Sequence, residues 1–265
     1  MALKSGGEIV LVADKTQNLY QREQSWTDQA MKGAGFQGGW TEVKYSYRLP
    51  ADMLPKIVDF TEQFIPAENR INLLLPEQVK LELSFQPTSM CWLQVPKNHD
   101  AEVQCCVDAI VHFYIQHKSR HTRAFADIVF MTGSRKIGME VVRKLGGLGV
   151  KVLHTFGTFN NSISETDDDH ETSRKQKCAF YLGREMVKAT TIHSFKGLES
   201  NCLVLHIGNA QGTENLSAIY AALTRLKRSE DSSHDSKITI ICSDPALAAY
   251  GQTWPSADGK HDTAA

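Results

Sequence analysis

The sequence predicts an α/β fold, a parallel sheet flanked by helices, and three observations carry that prediction. Cys202–Ile207 is nearly all apolar and Ile238–Cys242 is a second run of the same type, as strands buried on both faces are. Between them Leu216, Ile219, Tyr220 and Leu223 recur at helical spacing. Ahead of them Val187–Ile192 is rich in β-branched residues and ends in a short polar connection, His193 to Glu199. Strand, polar loop, strand, helix, strand is the order of a layered α/β domain. Ligands of such sheets sit at the carboxyl ends of the strands, where these polar residues are expected to fall.

Composition narrows the classes. At 265 residues the chain is long enough for one large or two modest domains, and burying a core is no difficulty. Apolar residues make up 42% and charged residues 22%, ordinary for a globular protein. The net charge of −1 excludes a generally basic nucleic-acid binder, so any such contact must come from a local patch. Six cysteines show no metal-like spacing and read as buried free thiols in a reducing compartment, with no metal site expected. No apolar run approaches a membrane span and no signal peptide is evident. A cytoplasmic protein with no membrane partner is the expectation.

In chain order, Glu8–Ala13 reads as a strand, and residues 16–35 start helical and break at Gly33-Ala-Gly35. Thr41–Tyr47 is a strand, Ala51–Ile65 a helix, and Lys80–Phe85 and Met90–Val95 two further strands. Asn98 or Asp100 can cap a helix whose stripe is Val103, Cys106, Val107, Ile110, Val111 and Tyr114. Ala126–Met131 is a buried strand that turns through Thr132-Gly-Ser134 into a helix with Ile137, Val141, Val142 and Leu145 inward, closed by Gly146-Gly147. Gly149–His154 then completes a βαβ unit. Gly157–Lys177 is a polar surface loop, and residues 251–265 are expected to form a disordered tail. Two apparent motifs fail. Gly146-Gly-Leu-Gly149 ends a helix and opens a strand, the reverse of a dinucleotide loop. Asp167-Asp-Asp-His-Glu171 reads as a solvated loop before it reads as a cation site.

Four stretches carry a family resemblance. Thr191-Ile-His-Ser-Phe-Lys-Gly-Leu-Glu199 and Tyr220-Ala-Ala-Leu-Thr-Arg225 resemble the fifth and sixth motifs of superfamily 1 helicases of the UvrD/PcrA/Rep type. Leu11-Val-Ala-Asp-Lys-Thr-Gln-Asn-Leu-Tyr20 is similar to the third motif, and Tyr45-Ser-Tyr-Arg48 to the fourth. They occur in the family's order across most of the chain. The resemblance implies a second RecA-like motor domain over residues 41–250, preceded in 1–40 by a remnant of the first. No Gly-x-x-x-x-Gly-Lys-Ser/Thr loop and no Asp-Glu pair ending a buried strand occurs here, so the part that cradles phosphates and magnesium is expected on an upstream segment or a separate chain.

What the resemblance implies for single residues can be set against their plainer readings. Arg225 becomes an arginine finger, where otherwise it would cap a helix C-terminus or pair on the surface. Tyr47 stacks on adenine and Arg48 contacts the γ-phosphate, where otherwise they are an exposed strand-end pair. Gln17 senses the γ-phosphate, and Glu199, which otherwise opposes Lys196, accepts from the ribose. Gly197 allows a left-handed turn or a close backbone approach. His193, Ser194 and Lys196 contact nucleic acid, although His193 reads equally as a hydrogen-bonded core residue. Tyr20 stacks on a base or fills a core, and Arg22 stands where the family often has tryptophan and can hold a phosphate. The cofactor implied is ATP with magnesium, and the partner is single-stranded DNA. Arg48, Glu199 and Arg225 should then line one rim at the strand ends, partly exposed and largely unpaired. The competing reading is a non-catalytic module that binds nucleic acid or a partner.

Overall fold

In the computed structural model the described residues are 46, 48–67, 70, 88–120, 125–157, 185–228 and 236–255. Along the chain they form α1 (Met53–Phe64), β1 (Ser89–Gln94), α2 (His99–Arg120), β2 (Ile128–Thr132), α3 (Arg135–Gly147), β3 (Val152–His154), β4 (Val187–Thr191), β5 (Cys202–Ile207), α4 (Gly212–Leu223), β6 (Lys237–Cys242) and α5 (Ala248–Gly251). The six strands make one sheet in the order β1-β6-β5-β2-β4-β3, with every pairing parallel. The α/β class with a parallel sheet between helices is therefore observed.

Alternation along the strands builds the two faces. Cys202 and Val204 of β5, Ile128 and Phe130 of β2, and Val187 and Ala189 of β4 pack under α2 and α3. Leu203, Leu205 and Ile207 of β5, with Val129 and Met131 of β2, turn to the opposite face, under α1 and α4. Every residue of β2 and β5 is buried, which is why both runs read as unbroken apolar sequence apart from Thr132 and His206. At these two positions a hydrogen-bonding side chain stands at the carboxyl end of a central strand.

Caps fix the helix starts. Asn98 Oδ1 accepts from the amides of Asp100 and Ala101, so of the two candidates Asn98 caps α2. Ser134 Oγ accepts from Ile137 N at the head of α3. Gly149, at φ +75°, then takes the left-handed conformation that lets the chain leave α3 for β3. β2 and β3 are parallel strands of one sheet, with β4 inserted between them.

The fold runs on past Tyr250. Trp254 is buried and lies 5.6 Å from Trp92, which also meets Tyr250 edge-on at 5.4 Å. The last turn before Pro255 is thus part of the core, and the boundary expected at residue 251 moves to the end of this aromatic cluster. Composition hid it, because the one residue that anchors the segment is a single tryptophan among small polar neighbours. The expected strands 8–13 and 80–85, all of 41–47 but residue 46, the helix in 16–35 and most of the 157–177 loop lie outside the described residues.

Candidate functional site

The connection from β4 to β5 holds most of the sequence-predicted residues, and it divides them between two edges of the sheet. Parallel strands require the chain to return from the carboxyl end of one to the amino end of the next. Ile192 N donates to Thr132 O, so the loop begins at the carboxyl edge, where His193–Phe195 forms a 3₁₀ turn. Thr191 Oγ1 accepts from Ser194 N at 3.2 Å and ties that turn to the strand. Gly197, at φ +88°, reverses the backbone, and open space around its Cβ direction shows the requirement to be conformational. Ser200 then reaches the amino edge, where its hydroxyl donates to Asp127 O, just ahead of β2.

At that amino edge three distant segments meet. Ser200 N donates to Arg225 O, Lys227 N to Ser200 O at 2.8 Å, and Arg228 N to Arg48 O at 2.7 Å. Buried Leu49 anchors the Arg48 segment. Arg48 Nε lies 3.8 Å from Glu199 Oε2, and Lys227 Nζ lies 3.5 Å from Glu199 Oε1. These side chains are 31–39% exposed, so each pair is a weak, screened contact. Arg48 Nε itself is buried and makes no hydrogen bond among the described residues, since 3.8 Å is beyond reach. An orphaned guanidinium donor beside one carboxylate and a further cation, Lys227, describes a place suited to an anion.

Arg225 differs from expectation. Its backbone sits in the rim, but the residue is 5% exposed. Nε donates to Ala221 O at 2.9 Å and an Nη to Thr224 Oγ1 at 3.2 Å, folding the guanidinium over the carbonyls that end α4. The segments that carry Arg48, Glu199 and Arg225 therefore meet through their backbones, and neither arginine is an open, unpaired group. They also gather at the amino edge and not at the carboxyl ends of the strands. The reason is the return path: a polar loop that spans the sheet leaves its first residues at one edge and its last at the other. Lys196 and Gly197 are exposed between the two. Gln17, Tyr20, Arg22 and Tyr47 lie outside the described residues.

The carboxyl edge holds a crevice of about 390 Å³, whose lining includes Glu102, Ser134, His193, His206, Asn209 and Asn215. It opens between β2 and β5, neighbours whose chains leave in opposite directions, β2 towards β3 and β5 towards β6. Such a switch point is where open parallel sheets hold ligands. Its floor carries a buried relay that the sequence reading missed. His206 Nε2 donates to Glu102 Oε2 at 2.7 Å, Thr132 Oγ1 donates to His206 Nδ1 at 3.0 Å, and Ser134 N donates to Thr132 Oγ1 at 3.0 Å. Burial holds the His206 imidazole below its ordinary pKa against the opposing pull of Glu102, which keeps it neutral in this relay. One signal was available: a histidine inside an otherwise apolar strand demands a buried partner.

Among the described thiols, Cys106 and Cys242 are buried and held protonated. Burial raises Cys242 to about 12 and Cys106 higher still, and the described cysteines form no disulfide. Among the described residues no group of His, Cys, Asp or Glu could hold a metal ion, and no helix is long and apolar enough to cross a membrane.

Comparison with known proteins gives little leverage. No family model matches the chain, and no curated protein does. The chain is similar to the C-terminal domain of a possible DNA helicase from Lactobacillus plantarum WCFS1, at 14% identity and a TM-score of 0.39, covering 74% of this chain and 90% of that one. It is also similar to the C-terminal part of the Fun30 ATPase domain, at 11% identity and a TM-score of 0.28, covering 80% and 88%. At TM-scores this low neither likeness carries weight on function.

Proposed function

We propose that the chain is a helicase-like RecA-type motor domain of the UvrD kind, whose amino-edge rim closes over ATP held by a phosphate loop elsewhere. The observation that carries this reading is the orphaned Arg48 Nε, set beside Glu199 and within a rim that the Arg225–Arg228 segment completes. ATP with magnesium suits that rim in charge: Arg48 and Lys227 offer cations for phosphate oxygens, and Glu199 offers an acceptor for a ribose hydroxyl. Bound ATP supplies the phosphoryl group whose transfer drives the motor. Arg48 donates to it, Glu199 exchanges its lysine and arginine contacts for the sugar, and Gly197 sets the turn that presents Glu199. Arg225 acts as the arginine finger only after leaving the α4 carbonyls, a change that would stabilise transition-state charge by roughly 10³–10⁵ in rate. Gln17 and Tyr47 belong to the same nucleotide site in this reading. Single-stranded DNA runs past His193, Ser194 and Lys196, with Tyr20 and Arg22 as further contacts.

A second reading is favoured by one feature. Arg225 donates to Ala221 O and Thr224 Oγ1 of its own helix end and Arg48 already faces Glu199, which suits a non-catalytic module that binds nucleic acid or a partner. A fluorescent-ATP titration with magnesium separates the two. The motor reading expects weak, saturable binding that falls about tenfold in Arg48→Ala, the loss of one charge-assisted contact. Phosphate release by the chain alone should stay at background with or without single-stranded DNA, because no lysine loop neutralises the phosphates. No detectable nucleotide binding, or binding indifferent to Arg48→Ala, would favour the second reading.

A further inference from the structure

Three features of the carboxyl-edge crevice are unused by the reading above. The first is Glu102. Its Oε2 is held by His206, while its Oε1 has no donor among the described residues, in a side chain only 9% exposed that lines the crevice. A carboxylate so enclosed, next to a neutral imidazole, asks for an N–H donor from a ligand. The second is a pair of amides. Asn209 Oδ1 is occupied by Gln211 N and Asn215 Nδ2 by Gln211 O, which leaves Asn209 with a donor and Asn215 with an acceptor. The third is the apolar remainder of the lining, Ile137, Ile192, Ile207 and Ile219, suited to the face of a flat ring. Gly208 keeps the floor open, since a Cβ there would stand 3.0 Å from the His206 ring and 3.5 Å from Glu102 Oε2.

Apolar walls, an enclosed acceptor and an amide pair match the edge of a heterocycle bearing an exocyclic amine. We propose that this crevice takes an unstacked nucleobase and selects cytosine and the other amine-bearing bases over thymine or uracil, with Glu102 Oε1 accepting from the amine. This rests on the nucleic-acid part of the reading above. A carboxylate accepts from cytosine N4, whereas the O4 of thymine or uracil would bring an acceptor against an acceptor. The His206–Thr132–Ser134 relay holds the carboxylate in place, and Ser134 caps α3, whose first turn carries exposed Arg135 and Lys136 next in sequence to the lining residue Ser134, where they can meet flanking phosphates.

Fluorescence anisotropy of the whole chain with oligo(dC) and oligo(dT) of equal length tests this. Oligo(dC) is expected to bind about tenfold more tightly, as one hydrogen bond to a charged group allows. Glu102→Gln keeps the acceptor for His206 and should bring the two within about twofold, since an amide accepts and donates alike. Arg135→Ala should weaken both oligomers equally. Equal binding of the two by the unmodified chain, or a preference that survives Glu102→Gln, overturns the proposal. If neither oligomer binds, the nucleic-acid reading fails by itself, and free nucleosides then decide the crevice. A shift of the Asn209 and Asn215 side-chain amide signals with cytidine but not thymidine sustains it for a free base. No shift with either overturns it.

Discussion

Gly251→Ala tests how the carboxyl-terminal turn is locked to the sheet. A Cβ at residue 251 would fall 2.2 Å from Nε1 and 2.6 Å from Cδ1 of Trp92. The indole has to retreat by about 1.2 Å to recover ordinary 3.4 Å contact. It cannot do so freely, because Tyr250 and Trp254 pack against it and its Nε1 donates to Gln94 Oε1 at 3.2 Å. Overpacking of this kind costs about 2–3 kcal/mol, offset by up to about 1 kcal/mol of helix propensity, so a net loss of about 1–2 kcal/mol is expected. For a chain of this size the thermal midpoint should fall by roughly 2–8 °C. Gly146→Ala is the matched comparison: nothing lies within 4 Å of its Cβ position in α3, so the same substitution should stabilise by about 0.5–1 kcal/mol. Paired thermal and urea melts measure both. If Gly251→Ala is neutral or stabilising, the segment to Trp254 is not part of the core.

Other expectations follow from the two edges of the sheet. Gly197→Ala, forced to φ near +88°, should cost roughly 1–2 kcal/mol in urea melts with the space around it unchanged. Burial depresses the pKa of His206 and of His154 below 6.5, so the unfolded chain binds more protons in acid. Stability should therefore be full above pH 6.5 and fall as pH drops below it, and His206→Gln should flatten part of that slope in urea midpoints taken across pH. Glu199→Gln removes two partly exposed ion pairs and should change stability by less than about 1 kcal/mol. A loss well beyond that would mean the rim is structural.

Sequence periodicity placed β5, β6 and α4 to within a few residues because each is an apolar run or stripe that burial enforces. Asn98 and Ser134 were legible as helix-start positions for the same local reason. What was not legible depends on contacts across the sheet. The polar loop after β4 looked like one cluster, yet its two ends serve opposite edges, since only the pairing of β4 with β2 and of β2 with β5 fixes where the loop must travel. Nothing in Leu223-Thr-Arg225 says whether the guanidinium reaches outward or folds onto Ala221 O. Glu102 and His206 stand 104 positions apart and meet only because α2 crosses β5. The convergence of Arg48, Glu199 and Arg225 was implied only by the family resemblance of the motifs that hold them, because the three stand far apart in the chain. The relay was hidden in elements that looked purely structural.

The central claim, that the amino-edge rim is the nucleotide face, is tested most directly by following arginine Nε–Hε signals as ATP with magnesium is added to the whole chain. The account predicts a saturable shift of Arg48, with Arg225 changing as its contacts to Ala221 and Thr224 loosen. An unmoved Arg48 at millimolar nucleotide, or a response confined to the crevice, would contradict it.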